Sequence, residues 1–256
     1  MAIAIIHSRA QDGINAPTVT IEVHISAGMP RMYIVGLPEK AVKESQDRVR
    51  SALINSNFDF PTRRITVNLA PADLPKEGCR FDLPIAIGIL AASGQIPDEN
   101  LHQYEFAGEL ALSGELRPFP GSLTMALATK NANRCLILPQ KNKSEINIIP
   151  NLKAYTANNL LSVCHHIAGN KKLEPITYSI SCTNHKIINN MSDVKGQYEA
   201  RRAIEISASG GHNLLLKGPP GTGKTMLASR MPELLPELNI NQAIDVASVY
   251  SVRGIS

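Results

Sequence analysis

The sequence predicts two folds in tandem: an α+β domain over residues 1–169 and, beyond a polar linker at 170–192, the first part of an α/β phosphate-loop domain over 193–256. Three observations carry this reading. Val19-Thr20-Ile21-Glu22-Val23-His24-Ile25 alternates apolar and polar residues without a break, the period of a half-buried strand. Leu83-Pro84-Ile85-Ala86-Ile87-Gly88-Ile89-Leu90-Ala91-Ala92 is apolar on nearly every face, so a helix here must lie between other elements. Gly218-Pro219-Pro220-Gly221-Thr222-Gly223-Lys224-Thr225 fits the spacing G-x-x-x-x-G-K-[ST].

The bulk composition sets wide limits. At 256 residues the chain holds one large domain or two modest ones, and with 43% hydrophobic residues but no Trp its core must be mostly aliphatic. The net charge of +4 permits contact with nucleic acid without demonstrating it. Cys79, Cys135, Cys164 and Cys182 lie far apart with no C-x-x-C pair, which suggests neither a disulfide framework nor a zinc site. In Cys164-His165-His166 consecutive residues of a helix point in different directions, so two polar positions and one buried position are expected. Met1-Ala2-Ile3-Ala4-Ile5-Ile6 lacks the basic start and cleavage site of a signal peptide and reads as a first strand. No apolar run approaches membrane-spanning length, and the expected location is the cytoplasm.

In chain order, a turn at Ser26–Pro30 leads to a strand at Met32–Val35. Leu37-Pro38-Glu39 then opens a helix to Asn55, with Val42, Val49 and Leu53 on one face and Lys43, Asp47, Arg48 and Arg50 on solvated ones. Arg63–Leu69 returns to strand alternation; Arg63 and Arg64 suit either an acidic partner or plain solvent. After a proline-marked loop at 70–78, Asp82 is the expected N-cap of the apolar helix. Tyr104 to Arg117 suits a hairpin turning at Ser113-Gly114. A helix capped by Ser122 runs to Asn131, Cys135–Pro139 and Lys153–Thr156 are short strands, and Asn158 caps a helix ending at Gly169. The linker carries one brief extended segment around Ile187-Ile188. A helix from Tyr198 to Ser209 stops at Gly210-Gly211, His212–Lys217 is a candidate buried strand, and a last helix spans Asn241 to Tyr250.

The loop from Gly218 to Thr225 carries the chemistry. Its glycines let backbone N–H groups turn inward around phosphates with no Cβ in the way. Lys224 reaches the β/γ-phosphates as a point charge, Thr225 offers its hydroxyl to Mg²⁺, and the helix that follows points its positive end at the same anion. Hydrolysis further requires an acidic residue at the end of a second apolar strand. After Thr225 the only aspartate is Asp245, in a helical stretch, and Glu233 and Glu237 follow no such strand. These residues are therefore expected to bind a nucleoside triphosphate rather than hydrolyse it, in a domain of which they form only the first part. Its apolar surface is expected to be exposed.

Asp193-Val194-Lys195-Gly196-Gln197, Gly210-Gly211-His212-Asn213-Leu214-Leu215-Leu216 and the loop itself resemble the ATPase domain of magnesium-chelatase-like AAA+ proteins. Gly36-Leu37-Pro38, Ala41 to Arg50 and Val67-Asn68-Leu69-Ala70-Pro71-Ala72-Asp73 narrow the resemblance to the bacterial ComM/YifB family, over essentially the whole chain. The resemblance implies ATP and Mg²⁺ as cofactors and a homo-oligomeric ring, a hexamer in such motors. It also implies a DNA helicase promoting branch migration during transformation, with DNA as the partner of the full-length protein and no membrane.

The first domain also resembles the proteolytic domain of Lon, which shares the fold of the second domain of ribosomal protein S5. Pro75-Lys76-Glu77-Gly78 is similar to the segment before Lon's nucleophilic serine, but Arg80 stands in the serine's place. The lysine's place, after Gly114–Gly121, falls at Leu123 or Thr124. A Ser–Lys mechanism needs both a hydroxyl and an amine, so the resemblance implies a protease fold without peptidase activity and without catalytic residues in this chain. Arg80 suits a subunit contact or a DNA phosphate, or equally an ordinary surface or salt-bridged arginine. A protein-remodelling AAA+ chaperone and a magnesium chelatase subunit are the competing readings. The absent Ser–Lys pair counts only against a peptidase, and the Lon-like first domain counts against the chelatase.

Overall fold

The computed structural model describes residues 2–179 and 190–255, and its contacts form two compact units, residues 1–180 with 244–256 and residues 181–243. The expected segment at Ile187-Ile188 and Cys182 lie outside the described residues. The last helix, α9 by chain order (Ile240–Val252), supplies its residues from Ile244 onward to the first unit.

Among the described residues the first unit is built on seven paired strands: β1 (Ala2–Arg9), β2 (Thr18–Ser26), β3 (Arg31–Val35), β4 (Arg64–Ala70), β5 (Tyr104–Phe106), β8 (Cys135–Pro139) and β9 (Ala154–Ala157). Their order is β3-β4-β2-β1-β5-β8-β9. β2 is antiparallel to both β1 and β4, and every other neighbouring pair is parallel. Only β2 therefore runs against the rest, and the unit is a mixed α/β fold around a mostly parallel sheet. The alternation in β2 sets its register: Val19, Ile21 and Val23 face the core, with Ile21 opposite Ile6 and Val23 opposite Val67.

The expected helix from Leu37 to Asn55 is two pieces, α1 (Lys40–Lys43) and α2 (Ser45–Asn55). The hydroxyl of buried Ser45 donates to the Val42 carbonyl at 2.7 Å, a local bond that competes with the helical ladder at the junction. Every residue of α3 (Asp82–Ala92) is buried, as its all-round apolarity demands. It packs on β1 and β2 so closely that a Cβ at Gly88 would stand 2.5 Å from Val23 Cγ2.

Asp82 is not a cap. Phe81 holds the N-cap position, and the Asp82 carboxylate accepts from Arg48 Nε at 2.7 Å, Arg48 Nη2 at 3.0 Å and the Leu110 N–H at 3.2 Å. A charged bidentate partner outcompetes a local backbone bond for a carboxylate inside the core, and Arg48 is correspondingly not one of the solvated residues of its helix. The hairpin is shorter than expected: β6 (Glu109–Leu110) pairs with β7 (Leu116–Arg117), while β5 joins the main sheet between β1 and β8. Ser122 is the first residue of α4 (Ser122–Asn131) instead of its cap, with left-handed Gly121 before it and its hydroxyl donated to Glu145. After α5 (Lys143–Ile146), α6 (Leu160–Ile167) is capped by Asn159, one residue later than expected, which accepts from the Ser162 N–H at 2.9 Å.

In α6 both Cys164 and His166 are buried, one more buried position than expected. His166 lies between the rings of Tyr104 and Tyr155, its Nδ1 accepting from the Leu173 N–H at 3.0 Å. That bond requires the neutral imidazole on Nδ1. Burial, with Lys172 nearby, holds its pKa below 6.5, and burial does the same for His7.

Glu105 on β5 is fully buried and accepts four hydrogen bonds. They come from Arg9 Nε at 2.6 Å, Arg9 Nη2 at 2.9 Å, Thr129 Oγ1 at 2.6 Å and Arg134 Nη1 at 3.2 Å. The cluster joins β1, β5, α4 and the turn before β8. Removing the carboxylate strands two partly or fully buried guanidiniums. Glu105→Leu should therefore cost about 3–5 kcal/mol in urea unfolding; a loss within measurement error would refute this role.

A second expectation concerns acid. Both histidines have folded-state pKa values lowered from 6.5, so the unfolded chain takes up protons first as pH falls. Their contribution is fully present above this value and declines as pH drops below it. Melting temperatures between about pH 5 and pH 7.5 should show that decline. His166→Gln, whose amide oxygen still accepts from Leu173, should flatten it; an unchanged slope would exclude His166 as a source.

Candidate functional site

The second unit has a small core of its own. Met191, Val194, Ile204 and Leu227 are buried together, with Ala200, Leu216, Met231 and Leu234 against them. Ile204 and Ala200 come from α7 (Tyr198–Gly210), which ends at left-handed Gly211, and Leu227 comes from α8 (Lys224–Ala228). Leu216 and Leu227 flank the phosphate loop, so both of its ends are fastened to one cluster.

His212–Lys217, expected as a buried strand, forms no ladder. No neighbouring strand is present among the described residues of this unit, and backbone in the extended region becomes a strand only when a partner takes its N–H and C=O groups. Leu215 is consequently 88% exposed, and Leu214 and Met226 are exposed as well, matching the expected apolar surface.

Within the loop, Gly221 and Gly223 have φ of 81° and 79°, on either side of Thr222. That alternation turns successive N–H groups to one side, and only glycine takes these angles without strain. Lys224 curls back over the loop, its Nζ 2.9 Å from the Gly218 carbonyl, 2.7 Å from that of Pro219 and 3.3 Å from Thr222 Oγ1. Thr222 Oγ1 donates to the Pro219 carbonyl at 3.0 Å. All three ammonium donors are thus matched to neutral oxygens of the loop, and among the described residues no carboxylate forms an ion pair with it. Thr225 is exposed on the first turn of α8, its hydroxyl without a protein hydrogen bond among the described residues. α8 has only five residues, so anion binding here rests on the loop and Lys224 more than on a helix dipole.

Two residues outside the spacing pattern make bonds at the loop or beside it. Gln197 has a left-handed φ of 54° and donates from Nε2 to the Thr222 carbonyl at 3.2 Å. Arg230 donates to the carbonyls of Asn190 and Met226. The Gly196-Gln197 pair preceding a helix was the available signal for the first; nothing local pointed to the second.

The donor set fits a triphosphate with Mg²⁺. Turned-in amides and an ammonium suit phosphate oxygens, and one hydroxyl beside them suits a metal that keeps most of its water and takes phosphate ligands. No group of three His, Cys, Asp or Glu residues able to hold a metal occurs among the described residues. Beside Lys224, Thr225 presents the exposed hydroxyl of the loop.

In the first unit, Arg80 is 5% exposed and forms no salt bridge among the described residues, with Glu77 the carboxylate that acts on it at longer range. Its Nη2 donates to the Pro120 carbonyl at 2.9 Å, its Nη1 to Gln11 Oε1 at 3.2 Å, and the guanidinium lies 5.1 Å from the Phe119 ring centroid. Burial lowers its pKa to about 10. Arg80 is thus neither a surface residue nor salt-bridged. Leu123 and Thr124 are buried close by in sequence to Pro120, with Thr124 Oγ1 donating to the Gly121 carbonyl. Burial pushes the Cys164 thiol up to about 12, which makes it inert. No described helix is long and apolar enough to cross a membrane.

Comparison with known proteins gives a consistent result. Family patterns described as subunit ChlI of Mg-chelatase and magnesium chelatase, subunit ChlI, match residues 21–142 and 190–256. The competence protein ComM of Haemophilus influenzae is 53% identical over 256 residues, covering 98% of this chain and 50% of that protein. YifB of Salmonella typhimurium is 49% identical over 253 residues, with 98% and 50% covered. Rv2897c of Mycobacterium tuberculosis is 36% identical over 256 residues, with 100% and 51% covered. The chain spans about half the length of the curated relatives it matches.

The Gln197 contact has a measurable consequence. Gln197→Gly keeps the left-handed turn but removes the bond to Thr222, so amide hydrogen exchange across 218–223 should accelerate while α7 stays protected. Equal exchange in both proteins would show that the contact does not hold the loop.

Proposed function

The chain belongs to the ComM/YifB family of magnesium-chelatase-like AAA+ proteins, and we propose that Gly218 to Thr225 bind ATP with Mg²⁺. The observation that carries the proposal is the position of Lys224. Its ammonium is held over the loop by neutral oxygens alone, and exchanging them for a phosphate gives the same donors an acceptor of opposite charge, which binds them more strongly. The amides turned by Gly221 and Gly223 hold the phosphate chain, and the Thr225 hydroxyl holds the metal. Bound Mg²⁺ would neutralise charge on the phosphates.

For a full-length protein of the size of these relatives, we propose a ring-forming motor driven by ATP and acting on DNA. One relative is named a competence protein, and the resemblance supports the same setting here. We read the first unit as a Lon-like fold without peptidase chemistry: Arg80, at the serine's place, is spent on the Pro120 carbonyl, and Leu123 and Thr124, at the lysine's place, carry no amine.

Lys224→Ala should weaken binding of a fluorescent ATP analogue by roughly ten- to a hundredfold, the worth of a charged hydrogen bond. Unchanged affinity would overturn the assignment. The DNA reading is tested on the full-length protein with forked and four-way junctions in a salt titration, where affinity should fall steeply with salt. Absence of binding at low salt with ATP would sink it and leave the protein-remodelling reading.

A further inference from the structure

We propose that the first unit carries a second binding site, a basic and aromatic groove along β3 that takes single-stranded nucleic acid. This site is separate from the phosphate loop and does not rest on its assignment. The groove encloses about 660 Å³ between the outer strand β3, α2 and residues 58–63. Arg31, Lys43, Arg50 and Arg63 line it against Asp47 and Asp59, and Arg64 adjoins it on β4.

Seven of the arginines of the first unit fall into two groups. Arg9, Arg48 and Arg134 hold carboxylates of the core. Arg31, Arg50, Arg63 and Arg64 are exposed and make no ion pair among the described residues. Three of them rest on aromatic rings instead. Arg31 and Arg64 each place Cζ 5.1 Å from the Tyr33 centroid, and Arg50 places it 5.4 Å from that of Phe60. Cation–π contact fixes a guanidinium without neutralising it, so each charge stays available to an anion.

Phosphates supply that anion, and planar bases extend the arginine–tyrosine stacks. The two aspartates discriminate further. A carboxylate accepts from the exocyclic amino group of a base, as Asp does from cytosine N4, whereas the side chains of an acidic peptide offer Asp47 and Asp59 no donor. Bases present free faces only when unpaired, and a concave groove admits one strand more readily than a duplex.

The test is fluorescence anisotropy of the 256-residue chain with a labelled single-stranded oligodeoxynucleotide, without added nucleotide, over a salt series. The chain should bind the strand in preference to a duplex of the same sequence. Two paired substitutions, Arg31→Gln with Arg64→Gln and Arg50→Gln with Arg63→Gln, should each weaken binding about tenfold or more and flatten the salt slope by about 0.7 per lost phosphate contact. Tyr33→Leu should weaken binding with little change of slope, because stacking releases no counterion. All five positions are exposed, so the fold should survive, and circular dichroism will verify this. Arg117→Gln, exposed elsewhere, should change nothing. Wild-type affinity in both arginine pairs, tighter binding of the duplex, or displacement of the strand by poly-glutamate as effective as by unlabelled strand would each overturn the proposal.

Discussion

The first unit depends on one buried carboxylate. Glu105 sits near the middle of the sheet with no exposure, in an environment where an unpaired charge is prohibitive. Its four hydrogen bonds draw Arg9 from β1, Thr129 from α4 and Arg134 from the approach to β8 onto one point. β5 is only three residues long and pairs with β1 and β8 on its two sides. So short a strand contributes little ladder energy, and the ion cluster secures the join between the two halves of the sheet. Arg48 and Asp82 do similar work at the start of α3, joining α2 to β6.

The second unit is organised on a smaller scale. Its cluster of four buried apolar residues is enough to fasten the two ends of the phosphate loop and α7, while Leu214 and Leu215 beside the loop stay in solvent. Backbone conformation fixes the loop more than packing does. Two left-handed glycines, the returning lysine and the Gln197 amide shape it from within a short span of chain. This explains why a loop assembled from neighbours in sequence was legible from spacing alone, whereas the strand before it was not. A strand needs a partner, and pairing is a property of two segments.

The two groups of arginine show how the same side chain divides between structure and binding. Arg9, Arg48 and Arg134 meet carboxylates, whereas the buried Arg80 meets a carbonyl and an amide on a phenyl face. Where it is exposed along β3 it meets rings. In sequence, Arg48 and Arg50 look alike, two polar residues on one helix. A rotation of 200° about that helix sends one to Asp82 and the other to Phe60.

The sequence by itself determined the strands with clean alternation, the buried helix α3, the phosphate loop and the family. Each is written in a few adjacent residues whose period or spacing has a direct physical meaning. Tertiary structure alone decided the caps, the split between α1 and α2, the place of β5 in the sheet and the partners of every buried charge. Asp82 and Ser122 had the right chemistry to cap, but Arg48 and Glu145 offered stronger bonds from elsewhere in the chain. Glu105 and Arg9 are 96 residues apart. Bonds across such distances are chosen when the core closes, by the cost of leaving a charge without a partner, and no local pattern records that choice.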